Sequence, residues 1–187
     1  MNAPILVLGT ALLFFCCGCE SVKRVSDDSR YFGGFRKKGH YVTKVETIIT
    51  SDKQNAVYGE MLFQPKRLFL VPANTGAATN YARGKFSGLR RADPVREIGR
   101  LPAGSTLEFI CTESVVVPLE SLRPAMPFAR VLIGPFRGTE VCVYHLCSDQ
   151  FVWGWPQTKT QRSDLGDGRQ VEVYSPCGTF LTYESKQ

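Results

Sequence analysis

Histidine is scarce in this chain of 187 residues, which contains only His40 and His145. A hydrolase that pairs a cysteine with a histidine would have only these two residues to choose its base from. Charged side chains are missing from the first nineteen residues, and Glu20 is the first to appear. The rest of the chain has no internal repeat, low-complexity run or heptad pattern, which argues against solenoid and coiled-coil architectures.

The uncharged start of the chain has the composition of an export signal. Residues Ala3 to Phe15 read APILVLGTALLFF, which is shorter than the about 20 apolar residues of a membrane span and suits a signal-peptide core. The alternative is an uncleaved N-terminal anchor helix that ends near Cys19. Both interpretations place the remaining chain outside the cytoplasm.

Three cysteines follow this apolar segment at its boundary with charged sequence, in the order Cys16-Cys17-Gly18-Cys19. This arrangement, with a small residue directly before Cys19, resembles the lipobox of bacterial lipoproteins. The resemblance implies that residues 1–18 are removed as a signal peptide and that Cys19 carries the lipid. Because Glu20 rather than Asp follows, it also implies delivery to the outer membrane, if the source has one. Several acyl chains hold a protein stably on a bilayer.

All 23 Lys and Arg residues and all 17 Asp and Glu residues lie after Cys19, so the net charge of +6 belongs to the mature chain. The polar stretch 19–38 has the composition of a linker between the lipid and a folded domain. Residues 39–187 have a length that suits one domain.

Strand signals outnumber helix signals in residues 39–187. Short runs of β-branched and aromatic residues alternate with Gly, Pro, Asn and Asp, a pattern typical of a small all-β barrel or sandwich. The predicted strands are Tyr41 to Thr50, Met61 to Val71, Ser105 to Val117, Ala129 to Ile133, Glu140 to Leu146, Gln150 to Trp155, Gln170 to Tyr174 and Thr179 to Tyr183. Pro124 and Pro127 limit the segment from Pro118 to Phe128 to one helical turn at most.

Three chain reversals are marked by turn residues. A hairpin is predicted across Gly134-Pro135-Phe136-Arg137-Gly138, a turn across Leu101-Pro102-Ala103-Gly104-Ser105, and a second reversal across Asp164 to Gly168. The LPAGS turn followed by the glycine-bracketed loop resembles bacterial SH3-like domains over roughly Ile98 to Tyr144. That resemblance implies a small open barrel that binds peptides or cell-wall components through an aromatic groove.

Four cysteines remain after the leader, namely Cys111, Cys142, Cys147 and Cys177. An even number in an exported domain predicts two disulfides, with three connectivities left open. The alternatives are buried thiols and a metal site built on Cys142, His145 and Cys147, with Cys111 or Cys177 as the fourth ligand. Regular strand geometry disfavours the metal site, because Cys142 and His145 would point to opposite faces. We therefore predict no metal site and no cofactor.

Catalytic constellations are weak in this sequence. No helix start is available to activate a nucleophilic thiol, and Glu108, Glu113 and Glu120 form no recognisable acid-base pair. Asp164 to Gly168 lacks the acidic alternation of a calcium loop. We expect a binding or structural domain rather than an enzyme, with a cell-wall-active Cys/His hydrolase as the alternative.

Two segments are candidate contact surfaces. Basic residues crowd a polar stretch that could meet an anionic envelope polymer or serve only as a solvated loop; they are Arg83, Lys85, Arg90 and Arg91. Phe151, Trp153 and Trp155 would share one face of an extended strand, as buried core or as a binding surface for sugars or peptides.

Together these features predict an exported protein of the cell envelope, anchored in membrane lipid and facing the periplasm or the outside. Its other expected partners are peptidoglycan, an anionic envelope polymer or an envelope protein. Nucleic acid is not expected, because export would separate the protein from it.

Overall fold

The computed structural model describes residues 21–24, 29–52, 67–75, 96–116, 122–152, 155–156, 161–164 and 170–185. The described residues form thirteen β-strands and two short 3-10 helices, Ser29–Tyr31 and Tyr144–Leu146, and no α-helix. The predicted all-β fold class is confirmed.

Eleven of the thirteen strands belong to one open sheet, and β9 and β10 form a separate pair. The strands are β1 (Ser21–Arg24), β2 (His40–Thr43), β3 (Thr47–Asp52), β4 (Arg67–Pro72), β5 (Arg96–Leu101), β6 (Thr106–Val116), β7 (Leu122–Val131), β8 (Glu140–Cys142), β9 (Phe151–Val152), β10 (Trp155–Pro156), β11 (Gln161–Asp164), β12 (Gln170–Val173) and β13 (Leu181–Glu184). The main path through the sheet is β13-β2-β6-β7-β8-β4-β3-β5. Strand β1 pairs with β6, and β12 joins β7 to β11.

The long antiparallel strands β6 and β7 are the centre of this sheet. Along β6, the buried residues Leu107, Phe109 and Cys111 alternate with more exposed ones, as expected for a strand with one face on the core. Strand β7 starts at Leu122 and contains Pro124 and Pro127. Residues 118–121 of the segment predicted to form at most one helical turn lie outside the described residues, and the rest of it is a strand that was not predicted.

Two of the predicted reversals are confirmed. In the turn before β6, the Ser105 amide donates to the Pro102 carbonyl at 3.2 Å, and the Gly104 amide donates to the Thr43 carbonyl at 2.7 Å. Strands β7 and β8 pair as an antiparallel hairpin, with Arg130 opposite Glu140. Strands β11 and β12 are also antiparallel, while residues 165–169 between them lie outside the described residues.

Part of the segment predicted as a linker, residues 19–38, packs into the domain. Strand β1 pairs with the end of β6. Phe32 and Phe35 are buried at 6% and 5% exposure and contact Phe109 through their rings. Two aromatic side chains inside this polar stretch therefore complete the core, while Arg36, Lys37 and Lys38 are exposed.

Strand boundaries differ from the predictions where tertiary contacts decide them. The run Tyr41 to Thr50 is two strands, β2 and β3, separated by residues 44–46, and the Lys44 amide donates to the Phe180 carbonyl at 2.8 Å. Strand β5 was not predicted. The run Glu140 to Leu146 is a strand only as far as Cys142, where a 3-10 helix follows.

Candidate functional site

Several predicted site residues lie outside the described residues. These are the lipidation site Cys19, the basic residues Arg83, Lys85, Arg90 and Arg91, and the central aromatic Trp153. Within the described part of the chain, no helix has both the length and the apolar character needed to cross a bilayer.

The aromatic strip is not one extended strand. Strands β9 and β10 pair with Val152 opposite Trp155 and Phe151 opposite Pro156, so the chain reverses between Val152 and Trp155. Phe151 is partly buried, with its ring centroid 6.2 Å from that of Phe180. Phe151 and Trp155 therefore lie on two short paired strands, and Trp153 lies outside the described residues.

The four predicted disulfide cysteines are present as thiols in this structure. Cys111, Cys142 and Cys147 are buried, and Cys177 is partly exposed. Three of them surround the second 3-10 helix: Cys142 precedes it, Cys147 follows it, and the Cys177 amide donates to the Leu146 carbonyl at 3.0 Å. We call Cys142, Cys147 and Cys177 the thiol cluster.

The 3-10 helix changes the geometry that strand periodicity predicted around His145. Every residue from Val141 to Ser148 is buried, so the expected alternation of faces is absent. His145 is fully buried, with ring centroids 6.1 Å from Phe69 and 5.4 Å from Tyr144. The described residues contain no group of three or more Cys, His, Asp or Glu side chains that could hold a metal ion.

Burial makes the cysteine and histidine of this region unsuited to nucleophilic catalysis. It lowers the pKa of His145 to about 3, so the imidazole is neutral at ordinary pH. Burial also raises the pKa of Cys147, and the neighbouring Cys142 and Cys177 raise it further. A catalytic thiolate needs the opposite environment, with a lowered thiol pKa and a base that can take a proton.

A second group of residues forms a surface that sequence reasoning missed. The guanidinium carbon of Arg36 lies 4.2 Å from the ring centroid of Tyr183, which is 38% exposed. The Tyr183 ring contacts Tyr41 at 5.5 Å between centroids, and the Tyr41 hydroxyl accepts a hydrogen bond of 2.8 Å from the Arg36 amide. Lys37 and Lys38 follow and are exposed. We call Arg36, Lys37, Lys38 and Tyr183 the basic–aromatic corner.

Ring contacts attach this corner to the core. The Tyr41 ring meets Phe35 at 5.2 Å, and Phe35 stacks on Phe109 at 4.9 Å. Burial raises the pKa of the Tyr41 hydroxyl, while the bond from Arg36 acts in the other direction. Because each ring packs against the next one towards the core, buried aromatic contacts hold Arg36 and Tyr183 in position.

Arg36 differs in its interaction partner from two arginines of the sheet, Arg100 and Arg130. Arg100 forms salt bridges with Glu46 at 2.7 Å and Glu97 at 2.8 Å. Arg130 lies between Glu108 at 3.8 Å and Glu140 at 3.1 Å. Among the described residues, Arg36 has a ring and no carboxylate as its partner. The interleaved aromatic and basic residues of FRKKGHY are the sequence signal that could have identified this surface.

Comparisons with protein-family models, with curated proteins and with solved structures gave no match to this chain.

Proposed function

We propose that this protein is exported, anchored in membrane lipid through Cys19, and acts in the cell envelope as a binding or structural domain rather than an enzyme. The domain is of the SH3-like kind, and the turn at Pro102 to Ser105 with the β7–β8 hairpin supports that assignment. It faces the periplasm or the outside, on the outer membrane where one exists. The leader sequence Ala3 to Cys19 supports export and anchoring.

Binding is favoured over hydrolysis by the environment of His145 and Cys147. A neutral, fully buried imidazole with a pKa of about 3 cannot act as the base of a Cys/His pair. His40, the other histidine, lies in β2 with Glu108 and Glu184 opposite it on the neighbouring strands. The environment of His145 therefore does not support a hydrolase.

The single observation that carries the binding proposal is the exposed Arg36 guanidinium on the Tyr183 ring. A guanidinium held against an aromatic face keeps its N–H donors available for an anion, and its orientation is restricted before binding. Lys37 and Lys38 add positive charge beside it. The class of partner with complementary charge is an anionic envelope polymer.

The anchoring proposal is tested by mass spectrometry of the membrane fraction. Cleavage before Cys19 and trypsin cleavage after Lys23 would give the peptide Cys19 to Lys23, with acyl mass on the cysteine. The variant C19S should lose that peptide and leave the membrane fraction, whereas C17S should keep both. An intact Met1 peptide on a membrane-bound protein would instead support an uncleaved anchor.

The binding proposal is tested separately with the detergent-solubilised full chain. Calorimetry against long-chain inorganic polyphosphate should detect salt-sensitive binding, while neutral dextran should not bind. The variant R36Q is expected to weaken binding about fivefold, the equivalent of about 1 kcal/mol for one exposed charge contact. R137Q is the matched control, because Arg137 is an exposed arginine of the β7–β8 loop.

Two results would contradict the proposal that the basic–aromatic corner binds an anionic polymer. Equal weakening by R36Q and R137Q would show a general charge effect without a defined site. Absence of polyphosphate binding at low salt would remove the anionic polymer as a partner class and would direct the search to peptidoglycan or an envelope protein.

A further inference from the structure

The backbones of Cys147 and Cys177 are held side by side. The Cys177 amide donates a 3.0 Å hydrogen bond to the carbonyl of Leu146, which belongs to the peptide unit that joins Leu146 to Cys147. Peptide dimensions then place the two cysteine Cα atoms on the order of 6 Å apart. A disulfide requires a Cα separation of about 4.4–6.8 Å.

Both cysteines also have neighbours that fix their positions. The Cys147 amide donates to the Tyr144 carbonyl at 3.1 Å, which closes the 3-10 helix. The Cys177 carbonyl accepts from the amides of Phe180 at 3.0 Å and Leu181 at 2.9 Å, where β13 begins. A bond between the two sulfurs would therefore join segments that are already ordered.

Sheet register excludes Cys111 as a partner of Cys142. Cys111 lies opposite Phe128 on β7, and Phe128 lies opposite Cys142 on β8. The two cysteines are thus two strands apart, about 10 Å, with the Phe128 side chain between them. That separation exceeds the reach of a disulfide.

The third thiol of the cluster, Cys142, is the competing partner. It ends β8 and stands between Phe128 on one side and Phe69 on the other. Strand β8 ends at Cys142, whereas the hydrogen bond from the Cys177 amide reaches the peptide unit of Cys147 directly. The geometry therefore favours Cys147 over Cys142 as the partner of Cys177.

We propose that Cys147 and Cys177 form a disulfide under oxidising conditions, and that Cys111 and Cys142 remain thiols. The oxidant is a small disulfide such as glutathione disulfide. The partly exposed Cys177 thiolate attacks it and releases one glutathione. Cys147 then attacks the Cys177 sulfur and releases the second glutathione. The two protein protons and two electrons end on the two glutathione thiols.

This inference does not depend on lipidation or on the basic–aromatic corner. Export would only supply the oxidising compartment in which such a bond persists. If the Cys147–Cys177 disulfide forms in the purified protein, this proposal is supported even if the anchoring experiment fails.

The experiment uses the full chain with C16S, C17S and C19S, so that the four domain cysteines are the only thiols. The protein is equilibrated in glutathione redox buffer, alkylated and digested without reductant. Trypsin leaves Cys142 and Cys147 on one peptide, whereas chymotrypsin cleaves after Tyr144 and separates them. We expect two free thiols and one linked peptide pair that contains Cys147 and Cys177.

Single variants provide the controls. C147S and C177S should abolish the linked pair, whereas C111S and C142S should leave it within about twofold of the parent at the same buffer potential. Circular dichroism of each reduced variant shows whether it is folded. A pair that contains Cys111 or Cys142 in the folded parent, or four free thiols under the most oxidising buffer, would overturn the proposal.

Discussion

Gly33 lies directly against the backbone of Tyr174. A Cβ atom at position 33 would be 2.3 Å from the Tyr174 carbonyl oxygen, and Gly33 has a φ of +59°. The Ser175 hydroxyl donates to the Gly33 carbonyl at the same contact. The N-terminal segment and the residues after β12 are thereby joined at a place that only glycine fits.

The variant G33A is expected to lower the free energy of unfolding by about 2–4 kcal/mol, because the methyl group meets backbone that cannot move freely. Urea unfolding followed by circular dichroism measures this change. G104A is the matched control: Gly104 also has a positive φ, of +86°, but a Cβ atom added there would have nothing within 4 Å. Its expected cost is about 1–2 kcal/mol, and equal losses would contradict the contact.

His145 should make the fold sensitive to acid. Its pKa is about 3 in the folded protein and near 6.5 when exposed, so the unfolded chain binds the extra proton between these values. The contribution of neutral His145 to stability is complete above about pH 6.5. It is lost as pH falls towards 3, by up to about 1.4 kcal/mol per pH unit.

Unfolding free energies measured from pH 7 to pH 4 check this prediction. H145F should show a shallower slope than the wild-type chain, since it has no imidazole to protonate. The same slope in H145F and wild type would mean that His145 does not contribute.

Thr43 and Thr47 offer a matched pair of buried hydroxyl groups. The Thr43 hydroxyl donates to the Pro102 carbonyl at 3.2 Å and accepts from the Ser105 amide at 3.1 Å. The Thr47 hydroxyl is buried, and no hydrogen-bond partner for it exists among the described residues. T43V should therefore lower stability by about 1–3 kcal/mol, while T47V should be neutral or stabilising. Thermal unfolding of the two variants under one buffer would reveal a reversed order.

The four domain thiols should differ in reactivity when reduced. Cys177 is partly exposed, whereas Cys147 is buried and its pKa is raised. Iodoacetamide at pH 8 should alkylate Cys177 at least about tenfold faster than Cys147, because the thiolate is the reacting species. Mass spectrometry of timed samples measures both rates. Comparable rates would show that the cluster opens readily to solvent.

Local turn chemistry could be predicted from this sequence, and long-range packing could not. The turn from Pro102 to Ser105 and the β7–β8 hairpin depend on residues that are close in sequence, so their glycines and prolines were sufficient signals. Phe32 and Phe35 find their partner Phe109 far along the chain. Their burial depends on a contact that no local pattern contains.

Two local arrangements were mispredicted for a similar reason. Alternation along a strand placed Cys142 and His145 on opposite faces, but the strand ends at Cys142. The segment from Phe151 to Trp155 was predicted to be part of one extended strand, but the antiparallel pairing of Val152 with Trp155 shows that the chain reverses direction between them. The sequence did not indicate a role for Arg36, because its partner Tyr183 is distant in sequence and lies on the last strand.

The pairing of β1 would limit the distance between the domain and a bilayer if Cys19 carried a lipid. Ser21 lies opposite Val116, at one end of β6, whereas Tyr41 lies opposite Leu107 near its other end. Cys19 precedes Ser21 by two residues, which span at most about 7 Å. An acyl group on Cys19 would place the Val116 end of β6 next to the lipid headgroups of the bilayer. The corner at Arg36 would then project away from that bilayer, up to about 30 Å along β6.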